Sequence, residues 1–251
     1  MTAPALIALA HDTHDSRTAS TLSSLTNLIA RMRPDLRVAS ASVGRVADFD
    51  KVVDRLVAEG HTEIVVVPLV FAAQGQTDSL AHHVAAQAAA RHDDILIQVT
   101  PLLGIESAFM HLLDQRLREA LSRNRVRELD ALVLAGEGSS DQLVQAAISR
   151  AARAWGHHHK LPTIVAFASI APPAAGEAVR AHRADGRRHV AVGMLFLAPS
   201  EHTDRVTELA EEAGAVAVAE PLGADTEIAR VVLARYAVGA VELVPLDAWA
   251  V

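Results

Sequence analysis

The second half of the 251-residue chain repeats the order of the first at a spacing of 126 residues, without a gap. Leu6 corresponds to Leu132, Ala10 to Gly136, Asp15 to Asp141, Gly60 to Gly186, Val66 to Val192, Leu69 to Leu195, Ala72 to Ala198, and Thr77-Asp78 to Thr203-Asp204. Toward the end the register slips, and Pro101-Leu102 matches Pro221-Leu222 at a spacing of 120. Common residues such as Ala and Leu pair by chance, but a shared order of apolar runs, glycine stops and Thr-Asp pairs does not easily arise that way. The repeat predicts two similar lobes, residues 1–125 and 126–251, joined through a helix at 108–118 and a polar segment at 122–130.

Each copy alternates short apolar runs with amphipathic stretches. The run Ala5-Leu6-Ile7-Ala8-Leu9-Ala10 is far short of the about 20 residues a membrane helix needs, and no basic segment of the secretory type precedes it. It reads as a buried strand, and no membrane association is expected. Further runs follow at 38–43, 64–71, 95–99, 131–135, 163–168, 190–197 and 215–219. Between them, at 22–32, 49–58 and 79–91, apolar residues recur every three or four positions, the period of a helix packed on one side. Strands buried on both faces and alternating with helices imply parallel pairing through right-handed crossovers. The predicted fold is α/β: two similar lobes from an internal duplication, each a mainly parallel four-stranded sheet flanked by helices. Ligands of such sheets bind at the carboxyl ends of the strands, so the residues just after each run carry the functional information.

Composition narrows the ligand. With 23 Lys and Arg against 30 Asp and Glu, a net charge of −7 and 3% aromatic residues, the chain lacks the basic footprint and stacking rings of a general nucleic-acid binder. It has 13 His and no Cys. Disulfides, thiolate ligands, iron–sulfur clusters and cysteine nucleophiles are excluded together, and the composition fits a reducing cytoplasm. A transition metal would be held by imidazole, carboxylate or carbonyl.

Superposing the halves singles out two positions. His11 ends the first strand of lobe one and Glu137 is its counterpart; Gln76 follows the third strand and His202 is its counterpart. Each pair keeps one imidazole. Such groups at strand ends can take a borderline divalent metal, Fe, Co, Ni or Zn. A single strand-end His is more often a hydrogen-bonded structural residue than a ligand.

The segment Ala8-Leu9-Ala10-His11-Asp12-Thr13-His14-Asp15 resembles the strand-end signature of the class II chelatases that insert Fe or Co into sirohydrochlorin: Gly or Ala, then His-Gly-Ser/Thr-Arg-Asp. Arg55-Leu56-Val57-Ala58-Glu59-Gly60, followed by the strand ending in Pro68-Leu69, is similar to the same family. So are the turns Pro101-Leu102-Leu103-Gly104 and Gly138-Ser139-Ser140-Asp141, and the strand end Leu197-Ala198-Pro199. The resemblance spans nearly the whole chain and matches the long, two-lobed, CbiX-type form. It implies a lyase of siroheme or cobalamin biosynthesis that takes a tetrapyrrole and a divalent metal as substrates, with no further cofactor. The two lobes forming one cleft imply a monomer.

The resemblance also exposes departures. The family's second His, eight residues after the strand proline, falls at Gln76, and its carboxylate after the second strand falls at Gly44. Asp12 replaces a Gly and His14 an Arg. One expectation is a redistributed site, with His11 from lobe one and Glu137 and His202 from lobe two as catalytic groups, and His11, His14, Glu137 and His202 as metal ligands. The alternative is a noncatalytic tetrapyrrole- or metal-binding paralogue. Arg17, Arg45 and Arg205 are candidates for the substrate's acidic rim, or plain surface charges.

Other features carry less. His157-His158-His159 reads as a solvated turn before the strand at Thr163, although any His run can collect metal. Of His82 and His83, on a helix start, at most one can face a cleft. Ala135-Gly136-Glu137-Gly138-Ser139-Ser140 lacks the Lys-Ser/Thr of a P-loop and the dinucleotide fingerprint, so Ser139 and Ser140 read as turn or helix-cap residues, not nucleophiles. No nucleophile elbow is present.

Overall fold

A computed structural model of the chain describes residues 3–11, 15–44, 46–71 and 75–243. The first half runs β1 (Ala5–Ala10), α1 (Ser16–Met32), β2 (Val38–Ser42), α2 (Val46–Ala58), β3 (Glu63–Pro68), α3 (Gly75–Ala89), β4 (Leu96–Val99) and α4 (Ser107–Arg123). The second runs β5 (Ala131–Gly136), α5 (Gln142–His159), β6 (Thr163–Phe167), α6 (Ala175–Ala184), β7 (Val190–Leu195), α7 (Glu201–Glu212), β8 (Ala217–Val218) and α8 (Thr226–Glu242). The strands form two four-stranded sheets in the orders β2-β1-β3-β4 and β6-β5-β7-β8. All pairs are parallel. The predicted α/β duplication is therefore observed, strand for strand.

The central pairings keep the sequence spacing. Ala5 lies opposite Ile64 in one sheet and Ala131 opposite Val190 in the other, each partner displaced by 126. Every residue of β1 and β5 is buried, as expected for central strands covered on both faces. Asp15 and Asp141 are the equivalent N-caps of α1 and α5. Their carboxylates accept the backbone N–H of Arg17 and of Leu143, each at 2.8 Å, satisfying a donor that the first helical turn leaves unpaired.

The slip after the third strand is seven residues, not six. Val66 pairs with Val99 and Val192 with Val218, so the fourth strands are related by 119. The same spacing relates Leu103 to Leu222, both fully buried, and Gly104 (φ 75°) to Gly223 (φ 77°). The Pro-Leu match at 120 is thus a likeness of residues offset by one position from the structural equivalence. A left-handed turn that glycine adopts without a steric penalty sets the register instead.

The helices that close the two halves are also related by 119: Ser107–Arg123 and Thr226–Glu242. Each belongs to the compact unit built on the other half's sheet. Among the described residues, unit one comprises 3–11, 15–44, 46–70, 75–103 and 224–243; unit two comprises 71 and 104–223. In these units α4 groups with the second sheet and α8 with the first. The buried face of α4, with Phe109, Leu112, Leu113, Leu117 and Ala120, is part of unit two. Gly193 of β7 makes room for it: a Cβ there would lie 3.0 Å from Leu113 and 2.6 Å from the Trp155 ring. In unit one the helix supplies the glycine, since a Cβ on Gly239 of α8 would lie 2.7 Å from Thr100 and 2.8 Å from Val65.

Equivalent arginines secure the exchange. Arg116 of α4 donates from Nη2 to the carbonyl of Leu222 at 2.9 Å. Arg235 of α8 donates to the carbonyls of Leu102 and Leu103 at 3.0 and 2.9 Å.

Candidate functional site

The carboxyl edge of each sheet is where the sequence places its candidate groups. In unit one, His11 is the first residue after β1 and is exposed. Its carbonyl accepts the N–H of Gly44 at 2.9 Å and the hydroxyl of Ser42 at 3.3 Å, so the strand-end backbone is held against the turn after β2. Gly44 itself is exposed in that turn and offers no side-chain ligand. Asp12 and His14 lie outside the described residues, as does Arg45. Gln76 falls in the first turn of α3.

In unit two, Glu137 is the first residue after β5 and is exposed. The turn that carries it is tightly built. A Cβ on Gly138 would overlap the carbonyl oxygen of Ser169, so only glycine lets the chain leave β5 beside the end of β6. Ser139 is buried, and its hydroxyl accepts the N–H of Asp141 at 3.0 Å. That bond confirms its reading as a turn residue. His202 occupies the first turn of α7 and is exposed. A capping box starts this helix: the Ser200 N–H donates to the Thr203 hydroxyl at 2.9 Å, while the Ser200 side chain accepts the Thr203 N–H. It sets the backbone on which His202 is displayed.

Glu137 and His202 therefore follow hydrogen-bonded neighbours, since Gly136 of β5 pairs with Leu195 of β7. Both stand at the carboxyl edge of the second sheet. His11 stands at the same edge of the first, between the ends of β2 and β3.

The cationic candidates have local partners. Arg17 pairs with Asp15 at 2.6 Å, and this guanidinium holds the Asp15 carboxyl below its ordinary range. Arg205 pairs with Glu208 at 3.4 Å. Both arginines are exposed, and ion pairs of this kind are weakened by salt and contribute little.

His82 and His83 are both exposed on α3. The His157-His158-His159 run is helical rather than a solvated turn. It forms the last turn of α5, which ends where Lys160 takes the left-handed conformation (φ 56°). Gly156 lies inside this helix, and its lack of a side chain allows a close approach, since a Cβ there would lie 2.8 Å from the Leu161 carbonyl. His157 and His158 are exposed on this turn, whereas His159 is half-buried and reaches Asp114. Sequence reasoning overlooked Asp114. The available signal was a lone carboxylate among the apolar positions of α4.

The profile of the CbiX family matches residues 5–120 and 131–238, one copy in each half. Among solved structures, SirB from Bacillus subtilis with Fe3+ superposes with a TM-score of 0.77 at 16% identity, over 95% of this chain and 96% of its own. The sirohydrochlorin chelatase SirB from Bacillus subtilis subspecies spizizenii, in complex with cobalt, gives 0.71 at 16% identity, over 96% and 97%. CbiX, described as the terminal enzyme of siroheme biosynthesis in denitrifying bacteria, gives 0.68 at 19% identity, over 92% and 98%. No curated protein sequence matches the chain.

Proposed function

The chain belongs to the CbiX family, and from this premise we propose that it inserts a divalent metal, Fe or Co, into sirohydrochlorin for siroheme or cobalamin synthesis. The observation that carries the reading is the family match in both repeats, joined to titratable side chains at the carboxyl edges of both sheets. The metal is a substrate. SirB is known with Fe3+ and with cobalt, and imidazole suits both, as it suits Ni.

Insertion poses few tasks: bind and bend the macrocycle, hold the ion above it, and take two pyrrole protons as the metal enters. Imidazole performs the last two, because it both ligates borderline divalent ions and accepts protons near neutral pH. We assign His11 as ligand and proton acceptor. Glu137 and His202 are assigned as the groups that replace the family's missing partners at Gly44 and Gln76, with His14 as a further ligand. Glu137 offsets the ion's charge or takes the second proton. Neither step needs a nucleotide or a covalent intermediate. We further propose a cytoplasmic monomer, since one chain carries both sheets. Among the described residues no helix is long and apolar enough to cross a membrane.

A specific observation supports a second reading. Gly44 offers no side chain where the family has a carboxylate, which favours a noncatalytic carrier if Glu137 and His202 do not compensate. Anaerobic incubation with sirohydrochlorin and Fe2+, Co2+ or Ni2+, followed by absorption, separates the two. An enzyme accelerates insertion above the spontaneous rate, and H11A abolishes the acceleration without unfolding the chain. A carrier binds the tetrapyrrole but accelerates nothing with any of the three metals, which would overturn the enzymatic reading.

A further inference from the structure

Unit two holds a polar cluster that the strand-edge chemistry does not use. Asp114 lies on the buried face of α4 and is only 4% exposed. Its Oδ1 accepts the indole N–H of Trp155 at 2.6 Å and lies 2.7 Å from His159 Nε2. His158 Nε2 lies 3.7 Å from Oδ2. One ligand atom from each of Asp114, His158 and His159 can be chosen so that all lie within 4.8 Å of one another.

The repeat shows that packing alone does not require this chemistry. At the equivalent places, 119 residues after Asp114 and 126 before Trp155, His158 and His159, unit one has Leu233, Ile29, Met32 and Arg33, so the buried carboxylate and its indole partner are replaced by apolar residues. A buried carboxylate costs solvation that an apolar set avoids. Unit two instead sets a buried carboxylate beside two imidazoles, one of them exposed, a donor set that a cation can share.

We infer that Asp114, His158 and His159 bind a borderline divalent transition-metal ion of the Zn2+, Co2+ or Ni2+ class. Two imidazoles and a carboxylate, without thiolate, are a standard donor set for such ions. Metal–ligand lengths of about 2.0–2.2 Å place tetrahedral donors roughly 3.4 Å apart. The observed carboxylate–imidazole separations of 2.7 and 3.7 Å bracket that value, so small side-chain rotations seat the ion. Trp155 is the outer donor that fixes the carboxylate. The last turn of α5 is the negative end of that helix, which favours a cation. The His158 side chain, 68% exposed, provides the entry path.

This site is separate from Glu137. α5 leaves the carboxyl edge of the sheet at Gln142 and reaches His159 after 18 residues, about 25 Å of helix. A bound ion bridges α4 to α5 and thereby fastens the exchanged helix to its adopted sheet.

Titration of the full-length protein with Co2+ alone tests the inference, with stoichiometry from equilibrium dialysis and coordination from the ligand-field spectrum. Wild type and H11A should share one class of Co2+ site. H158A, truncated at an exposed side chain, and D114N, which keeps an acceptor for Trp155, should weaken it by at least about tenfold, the lower end for disturbing even an outer-shell partner. Co2+ should also raise the melting temperature of H11A, and the H11A/H158A double variant should lose that rise. Equal Co2+ affinity in wild type and H158A overturns the inference. So does loss of the class in H11A with retention in H158A, which would assign the ion to the strand edge.

Discussion

Arg116 and Arg235 occupy equivalent positions 119 residues apart, and each closes the turn that ends the other half's sheet. Arg116 donates to the Leu222 carbonyl, and Arg235 to those of Leu102 and Leu103. A charged donor satisfies carbonyls that the strand ladder leaves unpaired. R235A is expected to lower stability by about 1–3 kcal/mol, measured by urea unfolding. R116A should cost a similar amount, and the double variant should be additive within about 0.5 kcal/mol. No loss in R235A would mean that the hydrophobic face alone holds α8.

Gly138 is predicted to be irreplaceable. Because a Cβ would overlap the Ser169 carbonyl oxygen, G138A must move backbone and should cost about 1–3 kcal/mol or more. It should also impair metal insertion by displacing Glu137. A variant with unchanged melting temperature and unchanged rate would contradict this account of the turn.

Asp130 ties the starts of β5 and β7 together by accepting the N–H groups of Arg188 and His189 at 2.9 and 3.0 Å. Burial pushes its carboxyl upward, but these backbone donors and the nearby cations outweigh that effect, leaving it below its ordinary 3.8. A depressed carboxyl contributes stability that is present above 3.8 and lost as pH falls through the lower folded value. D130N should therefore be less stable than wild type at neutral pH by about 1 kcal/mol, and the two should converge in strong acid. A gap that stays constant down to the acid limit would show that the charge contributes nothing.

His202 is expected to matter as much as His11. H202A should weaken binding of the substrate metal by at least about tenfold, whereas Q76A should change it little, because a neutral amide is a poor ligand and no base. Parallel metal titrations of the three variants check this. If Q76A alone were damaging, the ligand set would lie wholly on the first sheet.

The duplication, its eight strands and the strand edges that carry the candidate groups were legible in the chain because strand burial and the 126-residue spacing are local properties. Asp15 and Asp141 were visible as a pair, and capping explains them. His11, Glu137 and His202 could be placed at strand ends for the same reason: the residue after an apolar run follows from the run. The partner of each closing helix was not legible. Apolar periodicity tells which face of α4 or α8 is buried but not against which sheet, since either sheet offers a similar hydrophobic surface. Nor was Gly156 readable as a point of close approach, because Leu161 meets it only once the chain has turned. Asp114 and His159 lie 45 residues apart and carry no shared motif. Only the packing of α4 onto its adopted sheet brings a buried carboxylate to the end of α5, where the local sequence shows no more than three histidines in a row.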